Sequence, residues 1–182
     1  KGPNTGGMGA YSPAPLLTEI HLNTIVKEII EPTINELNKK SIDYRGVIYF
    51  GLMLTKSGPK VIEYNCRFGD PECQTIMPLM DQNFILLLDK CSMGKLTGEE
   101  KIYSSDKVSG CVIATSKGYP NDYETGHPIT IGNIDSTDCQ VFDSGTCLGQ
   151  NGELLTDGGR VLSIVCQDND FDNVFEKAYK NL

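Results

Sequence analysis

Leu22, Ile25, Val26, Ile29, Ile30, Ile34 and Leu37 return every three or four places, the spacing of one apolar helix face. They predict an amphipathic helix over 18–40, with Pro32 kinking or dividing it because proline lacks the N–H and clashes one turn back. Further on the period changes to two. Val47–Thr55 and Lys60–Arg67 read as strands joined in a hairpin by Lys56-Ser57-Gly58-Pro59. Successive side chains of a strand point to opposite faces. Ile62, Tyr64, Cys66 and Phe68 therefore share one face, the core side, while Glu63, Asn65 and Arg67 share the other, with Val61 at its start. Asp70-Pro71-Glu72 supplies an N-cap, an N1 proline and an acidic first turn, and Pro78 ends the short helix that follows. A second helix is expected over 81–93, with Phe84, Leu87, Leu88 and Cys91 inward and Gly94 as its stop.

Beyond Gly94 the texture becomes β-rich. Cys111–Ser116, Ile129–Ile134, Gln140–Phe142 and Arg160–Cys166 alternate with Gly, Asp and Asn turns. Asp170 then caps a last helix with an apolar stripe of Phe171, Val174, Phe175, Ala178, Tyr179 and Leu182. The first fifteen residues, KGPNTGGMGAYSPAP, read as loop. The pattern is α+β, with a boundary near 94–107 between an α+β segment, 1–93, and a small sheet with one covering helix, 94–182. No internal repeat appears.

Composition narrows the classes of function. The 182 residues are 39% hydrophobic, enough for a real core, and carry a net charge of −8. Residues 93–182 hold most of that excess, with 7 Lys/Arg against 14 Asp/Glu. An acidic chain without a basic run argues against nucleic acid or an anionic membrane as partner. No stretch is long and apolar enough to suggest a membrane span, and no signal peptide opens the chain. The seven cysteines are an odd number without a C-x-x-C pair. They are expected to be reduced thiols of a cytoplasmic protein, with Cys66 and Cys73 in the core. His21 and His127, the two histidines, read as structural or solvated, which leaves little for Ser-His or Cys-His catalysis.

The candidate chemistry lies on the alternating face. Residues two apart on a strand sit ~6.5–7 Å apart and point the same way. A carboxylate and an amide oxygen so placed, Glu63 and Asn65, can converge on a hard cation such as Mg²⁺, which takes few protein ligands and keeps waters and phosphates. Arg67, one step further, can meet a phosphate bidentately and offset the charge that develops in phosphoryl transfer. A solvated polar strand face explains the same three letters. Asp70 reads more readily as a helix cap than as a catalytic group, and Glu72 as a first-turn acid within reach of substrate. Thr5-Gly6-Gly7-Met8-Gly9 is either a flexible loop or a backbone cradle for an anion; it has neither the Walker ending nor G-x-G-x-x-G spacing. Gly158-Gly159-Arg160 reads as a tight turn before a strand.

Together these stretches carry a resemblance. PNTGGMGAYSPAP (Pro3–Pro15) followed by E-x-N-x-RFGDPE (Glu63–Glu72) resembles the glycinamide ribonucleotide synthetases, or phosphoribosylamine–glycine ligases, of the ATP-grasp superfamily. GLMLTKSGPKVIEYNCRFGDPECQ (Gly51–Gln74) is similar especially to the animal form, the first part of a trifunctional purine-synthesis polypeptide. SKGYPNDYETG (Ser116–Gly126) and DGGRVLSIV (Asp157–Val165) extend the likeness over nearly the whole chain. E-x-N-x-R also occurs in biotin carboxylase-like relatives, which resemble this sequence nowhere else.

The resemblance implies an enzyme that joins glycine to 5-phosphoribosylamine with ATP through a glycyl phosphate. It implies that Glu63 and Asn65 hold Mg²⁺ or Mn²⁺ and that Arg67 is catalytic, facing the transferred phosphate. Thr5, Gly6, Gly7, Met8, Gly9, Asp70 and Glu72 are then the substrate-binding candidates. Residues 1–93 correspond to the second half of an ATP-grasp domain and 94–182 to the family's small carboxy-terminal domain. The amino-terminal half, with the adenine-binding segment and the phosphate-binding lysine, is expected before Lys1, so 182 residues alone are expected to be inactive. That half, and in the animal form fused purine-synthesis domains, are the implied partners. The rival is a non-catalytic interaction or regulatory domain derived from such a ligase; intact Glu63, Asn65 and Arg67 speak against it.

Overall fold

The computed structural model describes residues 2–81, 83–102, 104–134 and 137–182. Lys1, the first residue of the expected loop, and Gln82, inside the expected second helix, lie outside the described residues. The chain forms two compact units, each assembled from separated stretches.

One unit comprises 1–13, 70–80 and 104–182. Its centre is an antiparallel sheet of four strands, β1 (Gly9–Ser12), β4 (Val108–Thr115), β5 (Cys139–Asp143) and β8 (Arg160–Asp168), in the order β1-β4-β8-β5. β1 was expected as loop. Its four residues pair with 109–112 of β4, and this long-range pairing supplies the order that a Gly- and Pro-rich local sequence does not signal. A closing helix, α5 (Phe171–Lys180), packs on β4 and β8 and buries Val174 and Ala178 against Val112, Ile164 and Cys166. It begins as expected, the Asp170 carboxylate accepting from the Asn173 N–H at 2.8 Å. The opposite face of β4 and β8 presents Cys111, Ile113 and Val165. A short helix, α3 (Glu72–Ile76), packs against β1 and β4.

The other unit comprises 14–69 and 81–103. Its helical pattern runs on through Pro32 without a break: α1 (Glu19–Ile25), a π-helical turn (Val26–Ile30) and α2 (Glu31–Lys39). Pro32 has no N–H to return to the preceding turn, and the ladder widens just upstream, the Glu31 N–H reaching the Val26 carbonyl. The hairpin is present as β2 (Tyr49–Thr55) and β3 (Gly58–Asn65). Gly58, at φ +94°, takes the left-handed position of the turn. The helix α4 (Asn83–Ser92) ends in a Schellman motif: Gly94 at φ +67° donates to Cys91 O, and the Lys95 N–H to Lys90 O.

Several expectations are corrected. No strand forms over 129–134; this segment joins the fold through the Ile129 N–H to Leu154 O bond and a single bridge at Pro128. β6 (Thr146–Leu148) and β7 (Leu154–Thr156) form instead, as a separate hairpin. The face carrying Ile62 and Tyr64 is not buried: these residues are 61% and 51% exposed, and a bulge opposite Gly51/Leu52 leaves Ile62 without a cross-strand partner. Cys66 is exposed and Cys73 half-buried, so neither forms core. Cys139 and Cys166 are not free thiols: directly opposite in register on β5 and β8, they are joined in a disulfide. Among the described residues, no helix is long and apolar enough to cross a membrane.

Candidate functional site

β3 carries the first group of candidate residues. The alternation that suggested a polar face holds for Glu63 and Asn65, and their side chains meet: Asn65 Nδ2 donates to Glu63 Oε1 at 3.0 Å. With its amide nitrogen spent there, Asn65 keeps its carbonyl oxygen as an acceptor beside the carboxylate. Two oxygen donors of this kind fit a hard divalent cation. The opposite strand leaves room for them. Gly51 pairs with Glu63, and a Cβ on Gly51 would lie 2.7 Å from Glu63 Cγ. Among the described residues no group of three or more His, Cys, Asp or Glu side chains is arranged to hold a metal. A cation held by this pair would take one carboxylate and one amide oxygen from it, leaving the rest of its shell to other oxygen donors.

Arg67 does not continue the strand. β3 ends at Asn65, and Arg67 lies in the bend that follows, with Nη1 donating to Phe68 O at 2.8 Å. It stays exposed. The three polar residues thus divide into a strand pair and a separate guanidinium on irregular backbone.

In the other unit, Asp70 is not the helix cap it resembled. α3 begins at Glu72 with no side-chain cap. The Asp70 carboxylate instead accepts from Gln74 Nε2 at 2.9 Å and from Arg160 Nη2 at 2.7 Å. The glycine loop is tied to the same place. Arg160 Nη1 donates to Gly6 O at 2.7 Å, to Asp70 O at 3.1 Å and to Gly7 O at 3.4 Å. The Gly6 N–H donates to the Tyr119 hydroxyl at 3.0 Å, and the Gly7 N–H to Thr5 Oγ1 at 3.4 Å. These two amides are therefore engaged in holding the loop. Gly7 has a structural reason to be glycine: φ is +98°, and a Cβ would lie 2.6 Å from Pro71 Cδ. Met8 is exposed, and its carbonyl accepts from the Ile113 N–H as the chain enters β1 at Gly9.

The thiols beside this cluster offer no nucleophile. Burial pushes Cys111 up to about 11, with Asp70 and Glu72 adding to the rise. Burial, then Asp70, likewise raises Cys73. His21 belongs to the capping box of α1 with Thr18, and His127 faces Glu124 on the surface. Neither approaches a nucleophile among the contacts described.

Two family models match the chain in succession: the phosphoribosylglycinamide synthetase ATP-grasp (A) domain over residues 1–73 and the C domain of the same enzyme over residues 109–182. The chain belongs to the phosphoribosylglycinamide synthetase family. Its relatives within that family span bacteria and animals. A phosphoribosylamine–glycine ligase of Caldanaerobacter subterraneus subsp. tengcongensis is 43% identical over 182 residues, which cover 100% of this chain and 43% of the relative. The trifunctional purine biosynthetic protein adenosine-3 of Gallus gallus is 41% identical over 183 residues, 100% of this chain and 18% of that protein. A solved phosphoribosylamine–glycine ligase from Thermotoga maritima superposes with a TM-score of 0.83 at 30% identity, covering 100% of this chain and 44% of its own. The chain thus spans less than half the length of these relatives. A biotin carboxylase from Campylobacter jejuni, 19% identical, matches the fold over 96% of the chain with a TM-score of 0.68. The likeness to biotin carboxylase, expected to stop at E-x-N-x-R, therefore extends through the fold.

The residue that sequence reading missed is Arg160. In sequence it reads as part of a turn before a strand, yet it joins the glycine loop to Asp70. Local sequence carries no sign of partners 154 and 90 positions away. The available signal is that two stretches of the same resemblance each carry a charged residue, of opposite sign, in Asp70 and Arg160.

Proposed function

We propose that this chain belongs to a phosphoribosylamine–glycine ligase, an ATP-dependent carbon–nitrogen ligase of purine biosynthesis working in the cytoplasm. In this reading residues 1–93 are the second half of an ATP-grasp domain and 94–182 its small carboxy-terminal domain. The adenine-binding half of the enzyme is the partner that completes the site, and further purine-synthesis domains accompany it where the polypeptide is fused. The observation that carries the reading is the Glu63–Asn65 pair, an oxygen-donor set on one strand face with space reserved by Gly51, in a chain matched by the family's models over 1–73 and 109–182.

A carboxylate is a poor acyl donor until one oxygen becomes a good leaving group. The glycine carboxylate takes up the terminal phosphoryl group of ATP, and the amine of 5-phosphoribosylamine then attacks the glycyl carbon and displaces phosphate. Glu63 and Asn65 would hold Mg²⁺ or Mn²⁺, which supplies charge neutralisation at the phosphates. Asn65 Nδ2 orients the Glu63 carboxylate from one side and leaves the amide oxygen free to share the load. Arg67 sits in the bend just past the strand and can turn its fork from Phe68 O towards a transferred phosphoryl group. The Thr5-Gly6-Gly7-Met8-Gly9 loop and the Asp70–Glu72 turn belong to the substrate side, supported by their common anchoring to Arg160.

The test uses the full-length protein. Glu63→Gln keeps the shape but removes the charge, so turnover at limiting Mg²⁺ should collapse while the melting temperature holds. Arg67→Lys keeps the charge but loses the bidentate fork, and should lower turnover by about 10²–10³. Near-normal turnover of Glu63→Gln at limiting Mg²⁺ would refute the metal assignment.

A further inference from the structure

Arg160 makes more of its guanidinium than an ion pair requires. Neutralising Asp70 needs only the Nη2 to Oδ2 contact at 2.7 Å. The same side chain also takes the carbonyls of Gly6, Gly7 and Asp70. Those bonds fix peptide planes, which charge balance alone does not. The grip on Gly6 is two-sided, because its N–H donates to the Tyr119 hydroxyl while its carbonyl accepts from Arg160. Close packing reinforces it: a Cβ on Gly6 would meet Arg160 Cζ at 2.9 Å, and one on Gly159 would clash with the Tyr119 ring. The Arg160 side chain is only 18% exposed, so water competes poorly for these bonds.

We infer that Arg160 is a positioning residue for the ligase reaction, holding the Thr5–Gly9 loop and the Asp70–Glu72 turn in one fixed shape. The inference rests on the ligase reading. A planar fork can serve a carboxylate and several carbonyls at once; a lysine ammonium is a point charge on a flexible stem and cannot reproduce that set. Misplacing a substrate-side loop by about an ångström costs on the order of 10²-fold in rate.

The experiment compares Arg160→Lys, Arg160→Ala and Tyr119→Phe in the full-length protein, with glycine, ATP and phosphoribosylamine supplied. Arg160→Lys should lose about 10²-fold in kcat. Tyr119→Phe should move in the same direction by less. Guanidinium ion should restore part of the Arg160→Ala activity where sodium at equal ionic strength does not. A stitch that only stabilised the fold would lower the melting temperature and leave kcat at lower temperature untouched. An Arg160→Lys kcat within about twofold of an active parent therefore overturns the inference alone. Failure of the parent to form ADP refutes the ligase reading, and this role with it. Where Arg160→Ala does not fold, amide exchange over 6–8 in Arg160→Lys decides: faster exchange by tenfold or more is expected, and unchanged exchange overturns the inference.

Discussion

Gly51→Ala separates the chemistry of the candidate site from its stability. The new methyl carbon would lie 2.7 Å from Glu63 Cγ, where ordinary contact begins at 3.4 Å, a deficit of about 0.7 Å. Glu63 is exposed, so it can swing outward instead of straining the hairpin. A displacement of this size at Cγ grows along the side chain and takes Oε1 out of the 3.0 Å bond from Asn65 Nδ2. The stability effect should be small. Removing a glycine stabilises by roughly 0.4–1 kcal/mol through the unfolded chain, which offsets a modest repacking cost. The melting temperature should therefore move by only a few degrees. Function should respond strongly, because an ångström of misplacement costs on the order of 10²-fold. Turnover of the full-length protein as a function of Mg²⁺ is the assay, and the expected result is a lower rate with a raised Mg²⁺ requirement. An unaltered Mg²⁺ dependence would refute the argument that Gly51 reserves space for the Glu63 carboxylate.

Gly110→Ala should act in the opposite sense, on stability alone. Its Cβ would meet Val174 Cγ1 at 2.7 Å in a fully buried contact, so overpacking should cost about 1–3 kcal/mol. At about 2–4 °C per kcal/mol for a chain of this size, melting should fall by roughly 2–12 °C, and Val174→Ala in the same molecule should recover part of the loss; simple additivity would show that the two sites do not collide. Acid should weaken the fold through carboxylates held below their ordinary values. Burial would raise Glu100, but its own backbone N–H, Lys90 and the Thr97 and Gly98 N–H groups hold it at about 2, while Lys107 lowers Asp138 and Lys177 lowers Asp168. A depressed folded-state value means this stabilisation is present above the ordinary 4.5 of Glu100 and is lost as pH falls towards about 2. Melting temperature should decline across that window, and Glu100→Gln should flatten part of the decline; a flat profile in the parent would contradict it.

Elements whose signal is local were legible in the sequence. α5 starts at the Asp170 cap and buries Val174 and Ala178, while Tyr179 and Leu182 of the expected stripe are exposed, and α4 ends at Gly94 with the Asp89, Lys90 and Cys91 carbonyls satisfied. The β2–β3 hairpin follows from alternation and a turn with a left-handed glycine. Elements whose order comes from elsewhere in the chain were not legible. β1 has no strand composition and is ordered by β4, about a hundred residues later. The 129–134 run has strand composition, but among the described residues it is joined to the ladder by the Ile129 N–H and a bridge at Pro128 and forms no strand. Propensity reads the intrinsic preference of a segment, and in both cases the available pairing decided the outcome.

The site divides along the same line. Glu63 and Asn65 are two places apart, so strand geometry alone brings carboxylate and amide together, and the structure keeps them at 3.0 Å. Extending that periodicity to Arg67 failed because the strand ends two residues earlier, and no feature of E-x-N-x-R marks its end. Asp70 was misread for a related reason. Asp-Pro-Glu carries a strong capping signal, but a side chain that can cap a helix can also accept from a guanidinium, and here Arg160 and Gln74 take it. The Arg160 bond pairs two opposite charges, whereas an N-cap bond, worth about 1 kcal/mol, pairs the carboxylate with a neutral N–H. The distant partner therefore wins over the local rule. What the substitution gives the molecule is a tie between a glycine loop, a turn and a strand end that no single stretch of sequence contains.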